Sequence, residues 1–207
     1  HCKCSSLLLL VYFVTEWVLW EHKSGASKSP NAWKENMTEL CSFNTIEQFW
    51  CSFNHMPKPS EVFFDGECRK KIGSEADGKT VEEYSLFKKG IEPEWGDKEN
   101  VVGGEWFCRQ FFEGDVLDLY WQNLVFGVIG ETIEDAAEGK RVGKDVINGV
   151  RVVDKSRGYP MYKLEIWINT RDPEVKESIR ERLSEIMTDG QPPSRKSSPK
   201  FDWKDHS

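Results

Sequence analysis

The chain has 207 residues and a mass of 24.0 kDa, which suits one domain with a full hydrophobic core and leaves too little for two. A composition of 38% hydrophobic and 30% charged residues excludes a disordered, collagenous or membrane-embedded chain, and a formal charge of -7 excludes nonspecific coating of nucleic acid, which runs on lysine and arginine. Six cysteines without a repeated C-x-x-C argue against a zinc site and a dense disulfide framework, so the thiols read as reduced, in a cytosolic or nuclear protein.

Residues 7–20 are predicted as one long strand or two joined ones, rich in β-branched and aromatic side chains. The apolar run Leu7 to Val14 and the formal sequon Asn36-Met-Thr38 point toward secretion, but the run is too short to span a bilayer and meets no small-residue cleavage site, so secretion is not expected. Residues 21–35 follow as a polar loop with one aromatic, Trp33, and a short strand spans Thr38 to Phe43. Asn44, with Glu47 three residues on, is the expected cap of a helix whose apolar positions Ile46, Phe49, Trp50 and Phe53 share one face. Residues 58–83 form a long inserted loop, rich in glycine, proline and charge.

Tyr84 to Lys88 is a strand, and a polar loop with a second stranded indole, Trp95, leads to the Gly103-Gly104 turn and a strand over Glu105 to Phe112. Asp115 and Asp118 are expected to cap a largely buried helix running to Ile129. A strand near Val146 to Asp154 precedes a cleanly alternating one. In it Tyr162, Leu164, Ile166 and Ile168 face one way, and Lys163, Glu165, Trp167 and Asn169 the other. Asp172-Pro173 opens the last helix, which buries Val175, Ile179, Leu183 and Ile186 and ends at Gly190. The domain therefore spans 1–190, and 191–207 is expected to be a disordered tail, with Phe201 and Trp203 able to dock. Strands joined by short connections, with helices apolar on one side, make the fold class α+β: an antiparallel sheet with helices on one face and the other face open.

Phosphate-loop, dinucleotide, zinc-protease and nucleophile-elbow signatures are missing, and the histidines sit in terminal or loop contexts, so the sequence gives no catalytic residues, cofactor or metal. Nine tryptophans exceed what a core of this size uses, which points to indoles on a binding surface. Trp33 and Trp95, in polar loops, either form a stacking platform or fold back over the sheet edge. Lys155, Arg157 and Lys163 cluster near a predicted hairpin tip, either solvated or set for phosphate oxygens. Trp167 shares the parity of Lys163, so aromatic and basic elements lie on the open face, which suits a planar base with a phosphate tail.

The segments Trp17-Val-Leu-Trp20, Thr45-Ile-Glu-Gln-Phe-Trp50, Tyr84-Ser-Leu-Phe-Lys-Lys-Gly-Ile-Glu-Pro93 with Trp95, Gly103-Gly-Glu-Trp106, Ile129-Gly-Glu131 and Ile166-Trp167 resemble the cap-binding translation initiation factor 4E family in order and spacing. The resemblance implies a cupped antiparallel sheet with about three helices on its convex face and a concave pocket for the 7-methylguanosine cap of messenger RNA. It also implies a cytoplasmic monomer that meets no membrane and binds a scaffold or repressor helix on its helical side. Carried over by position, Trp33 and Trp95 resemble the indoles that sandwich the methylated base. Trp167 resembles the one beside the methyl group, and Lys155, Arg157 and Lys163 the basic residues at the phosphates. Ile46, Trp50, Asn123 and Phe126 fall on the dorsal partner surface.

Four departures stand out. Gly96 replaces the family's glutamate after the second stacking indole, so Asp97, or failing that Glu94, is expected to supply the carboxylate for the guanine edge. Glu105 stands where the family commonly has a basic residue, which lowers the expected affinity for a triphosphate. Asn123 replaces a dorsal acidic residue, and Val11-Tyr-Phe13 replaces a His-Pro-Leu, so partner choice is expected to differ. The alternative function is an interaction module that keeps the dorsal surface and has weak or no cap binding.

Overall fold

The computed structural model describes residues 11–25, 32–70, 79–134, 145–191 and 199–206, with the side chains of 32 and 33 outside the description. One curved, seven-stranded sheet organises them. Its strands are β1 (Tyr12–Lys23), β2 (Met37–Thr45), β3 (Val81–Lys88), β4 (Gly104–Gln110), β5 (Ile147–Asp154), β6 (Tyr162–Ile168) and β7 (Asp202–Asp205), in the order β2-β1-β3-β5-β6-β4-β7. Every pairing is antiparallel. Three longer helices, α2 (Ile46–Phe53), α4 (Gly114–Ile129) and α5 (Pro173–Met187), accompany two single turns, α1 (Ala32–Glu35) and α3 (Pro59–Val62). No helix among the described residues is long and apolar enough to cross a membrane.

Period-two alternation sorts each central strand into two faces. Leu86, Val150, Val152, Leu164 and Ile166 point toward the helices and meet Leu117, Trp121, Leu124, Ile179 and Leu183 in one core. Each such side chain contributes about 1.5–3 kcal/mol on burial. Asp172 caps α5 as the sequence predicts, its Oδ1 accepting from the N–H groups of Glu174 and Val175 at 3.0 Å each. Asp172→Ala should cost about 1 kcal/mol and lower the thermal midpoint by about 2–4 °C, which a melting curve checks.

Several expected boundaries move. Thr45, not Asn44, caps α2, its hydroxyl accepting from Gln48 N–H at 3.2 Å. Glu113 is the residue before α4, and Asp118 is not a cap partner: its carboxylate accepts from Ser60 N–H at 2.9 Å and Ser60 Oγ at 2.6 Å, tying α3 to α4. Within the stretch expected as a loop, α3 and the buried Val62 and Phe63 join the core, and β3 begins at Val81; residues 71–78 lie outside the described set. Within the expected disordered tail, residues 199–206 are corrected most, while 192–198 and 207 lie outside the described set: β7 pairs with β4, Trp203 opposite Trp106, and their rings meet edge-on at 5.3 Å. Lys176 of α5 stands over the Trp203 ring at 3.9 Å, which holds the strand down.

Candidate functional site

The face away from the helices is far from a simple solvated surface. Register sets Arg151 of β5 opposite Ser85 of β3 and Glu165 of β6, and sets Trp167 of β6 opposite Gly149 of β5 and Glu105 of β4. A row of charges results. Arg151 donates from Nε to Glu83 at 2.7 Å, from a second nitrogen to the same carboxylate, and from Nη1 to Glu165 at 3.3 Å. Lys163 Nζ lies 2.7 Å from both Glu105 and Glu165. Burial alone would raise the Glu83 pKa, but the charge and hydrogen bonds of Arg151, with Ser85, hold it below the usual carboxylate range. Glu105 is likewise held low, because its hydrogen bond with His206 and the Lys163 charge outweigh its burial.

Trp167, only 1% exposed, lies at the centre of this row. Its Nε1–H donates to Glu165 at 2.7 Å, Arg151 stands over its ring at 5.0 Å, and Phe87 meets it edge-on at 5.3 Å. Phe87 and Trp167 come from strands on either side of β5, and Gly149 lies between them: a Cβ there would come 2.4 Å from the Phe87 ring. Trp95, 44% exposed, belongs to the loop between β3 and β4. That loop is knitted by Asn100, whose amide donates to the Glu92 and Glu94 carbonyls at 2.8 and 2.9 Å, and by Asn148, which reaches Glu99 O at 2.7 Å. Lys34 pairs with Glu92 and so ties α1, which carries Trp33, to the same loop; the Trp33 side chain is outside the described set.

Asp97 does not present its carboxylate to the pocket. Its two oxygens accept from the Glu92 and Glu99 N–H groups at 3.1 and 2.9 Å, closing its own loop. Gly96 is flanked by open space, with nothing within 4 Å of where a Cβ would stand.

Two residues that the sequence did not mark complete the site. His206, 1% exposed, stacks on Trp95 with ring centroids 6.1 Å apart and planes at 25°, and meets Trp167 at 4.3 Å. Lys204 Nζ stands 3.5 Å from the Trp95 ring centre. The available signal was the short alternation Phe201, Trp203, Asp205, which puts Lys204 and His206 on the opposite face to Trp203.

The family model described as eukaryotic initiation factor 4E matches residues 12–207 of this sequence. The chain belongs to the eukaryotic initiation factor 4E family. Fission yeast translation initiation factor 4E-2 is 32% identical over 173 residues, covering 83% of this chain and 60% of that protein. The Candida albicans factor 4E is 27% identical over 176 residues, or 84% of this chain and 71% of its own length. This chain thus spans about three fifths of the fission yeast relative. Two nematode structures share the fold at a TM-score of 0.71. One is the Caenorhabditis elegans eIF4E-3 complex with the 4E-binding protein Mextli and cap analog, at 23% identity over 95% of this chain and 93% of that one. The other is Ascaris suum eIF4E-3 with m7G cap, at 24% identity over 96% and 93%.

In this 4E-family chain the remaining candidate residues lie in two places. Lys155 and Arg157 are exposed at the rim of the charged face, Lys155 within electrostatic reach of Arg151, Lys163, Glu83 and Glu165. On the helical side Trp50 is 42% exposed, edge-on to Phe126 at 5.3 Å, and Ile46 is exposed on the same helix. A groove of about 400 Å³ beside them is lined by Trp50, Phe53, Met56, Asp118 and Trp121. Asn123 is engaged elsewhere, its amide donating to the carbonyls of Met187 and Asp189 at 3.1 and 2.9 Å, where the end of α5 leaves acceptors unpaired.

Proposed function

We propose that this chain binds the 7-methylguanosine cap of messenger RNA and recruits or regulates messenger RNA for translation initiation. The observation that carries the proposal is Trp95, an exposed indole on a hydrogen-bonded polar loop, with the His206 ring against both it and the buried Trp167. Family membership supports it, since relatives are named as initiation factors and one neighbouring structure is titled as a complex with the m7G cap. Trp33 is the second stacking indole in this proposal, Trp167 lies near the methyl group, and Lys155 and Arg157 meet the phosphates with Lys163 behind them.

Methylation at N7 makes the guanine ring cationic, so an indole face gains an electrostatic attraction that guanine itself lacks. In a desolvated pocket that is worth about 2 kcal/mol or more, a preference of at least about tenfold for the methylated base. Phosphate affinity is weaker, because Lys163 is already paired with Glu105 and Glu165. Retention on a 7-methyl-GTP resin, with release by free 7-methyl-GTP and not by GTP, tests the proposal. Passage through the resin favours the interaction-module alternative, for which Glu105 in the pocket argues.

Asp97 is not a free carboxylate for the base edge, since each of its oxygens accepts a backbone N–H of its own loop. Gly96→Glu places one in open space, where it accepts from guanine N1–H and N2–H. A charge-assisted pair of that kind is worth about 1.5–3 kcal/mol, so 7-methyl-GTP should bind roughly tenfold or more tightly by calorimetry. Unchanged affinity would place the base edge away from residue 96.

On the dorsal side the proposed partner is an amphipathic helix with apolar anchors over Ile46, Trp50 and Phe126, from a scaffold protein of the initiation complex or a repressor. A neighbouring structure is titled as a complex with the 4E-binding protein Mextli. The protein acts as a cytoplasmic monomer in this proposal, with no enzymatic step.

A further inference from the structure

His206 meets the two pocket indoles in the manner expected of a bound base. Its ring stacks on Trp95 and touches Trp167, and both ring nitrogens face acceptors: Nδ1 lies 3.0 Å from Asn100 O and Nε2 lies 3.2 Å from Glu105 Oε2. A planar, nitrogen-bearing ring thus lies on an indole face with a carboxylate at its edge. Lys204 adds a cation over the same Trp95 ring. We propose that the β7 segment is an internal competitor for the cap pocket, with His206 and Lys204 covering Trp95 until a methylated base displaces them, an inference that rests on the cap-binding proposal above.

Several observations make the segment a built occupant rather than a loose end. Gly104 allows β7 to close on β4, since a Cβ there would come 2.4 Å from Lys204 O and 2.5 Å from the Trp203 ring. Past the strand, His206 N–H donates to Gly103 O at 3.1 Å, and Arg171 reaches both the His206 carbonyl and, at 3.2 Å, Gly103 O. Trp203, anchored on Trp106 and Lys176, can stay in place while the two residues flanking Asp205 swing clear. Displacement also removes one of the hydrogen-bond partners of Glu105, so the tail and a bound nucleotide each alter the charge balance of the same face.

A ligand that binds only the uncovered form has its affinity reduced by the uncovered fraction, and a pocket open about one tenth of the time binds about tenfold more weakly. Calorimetric titration of 7-methyl-GTP into the full chain and into its His206→Ala variant should therefore give about tenfold tighter binding in the variant. Equal or weaker binding by His206→Ala, with wild type still binding, overturns the competitor and leaves cap binding standing. No binding by either protein overturns both. Should His206→Ala misfold, the wild-type chain decides by NMR: the His206 ring protons, shifted upfield by two indoles, should return toward ordinary histidine positions as 7-methyl-GTP saturates the protein. Ring protons that stay put under saturating ligand overturn the proposal.

Discussion

Trp95→Ala should weaken 7-methyl-GTP binding at least tenfold while leaving the fold intact. The two halves of that expectation come from different properties of the same residue. Trp95 is 44% exposed and its loop is held by Asn100, Asn148 and Asp97 through hydrogen bonds that do not involve the indole, so truncation leaves the framework of the loop in place. Its ring is nevertheless the only described aromatic face in that loop. Base stacking on an aromatic side chain is worth about 1–3 kcal/mol, with a cationic base at the upper end. Trp95→Phe keeps a smaller face and should lose only part of the affinity. Calorimetry on all three proteins, with melting curves to show that stability is kept, measures the difference; affinity unchanged in Trp95→Ala removes the indole from the site.

The largest expected effect on stability is at Arg151. Glu83 and Glu165 are each 3% exposed, and Arg151 is the cation that contacts both. Arg151→Met preserves much of the stem packing but leaves two buried carboxylates facing each other without it, and Lys163 is already shared between Glu165 and Glu105. Breaking a buried ion pair from one side costs about 3–5 kcal/mol, because the remaining charge keeps its desolvation penalty and loses its partner. At about 2–4 °C per kcal/mol for a domain of this size, the thermal midpoint should fall by about 10 °C. The triple variant Glu83→Gln, Arg151→Met, Glu165→Gln should recover most of the loss, since neutral groups leave nothing uncompensated. A loss below about 1 kcal/mol in the single variant would mean that the carboxylates are hydrated rather than buried. Trp167 links this charge row to the pocket, because Arg151 lies over its ring and Glu165 accepts its Nε1–H. Arg151→Met should therefore also weaken cap binding, through a misplaced Trp167.

Strong periodic signals were legible from the sequence, and features made by distant pairing were not. The alternation in β6 assigned Leu164 and Ile166 to the core face and Lys163 and Trp167 to the other, because side-chain direction in a strand follows parity alone. Asp172-Pro173 marked the start of α5 for an equally local reason. Asp118 misled, since a carboxylate three residues after Asp115 imitates a capping box; its real partner, Ser60, is 58 residues away. The charge row was hidden for the same reason. Glu83, Arg151 and Glu165 each resemble a solvated surface residue until the strand order β3-β5-β6 puts them side by side. At the candidate site, Trp95 was legible as an indole in a polar loop, whereas the burial of Trp167 was not. His206 escaped notice because β7 is only four residues long and derives its stability from docking on β4 and α5 rather than from its own pattern.

The most direct test of cap binding is a tryptophan-fluorescence titration of the purified chain with 7-methyl-GTP and, in parallel, with GTP. Saturable quenching by the methylated nucleotide, with GTP at least tenfold weaker, is the predicted result, because only the cationic base gains from the indole faces. Equal quenching by both nucleotides, or none by either at millimolar concentration, would contradict it.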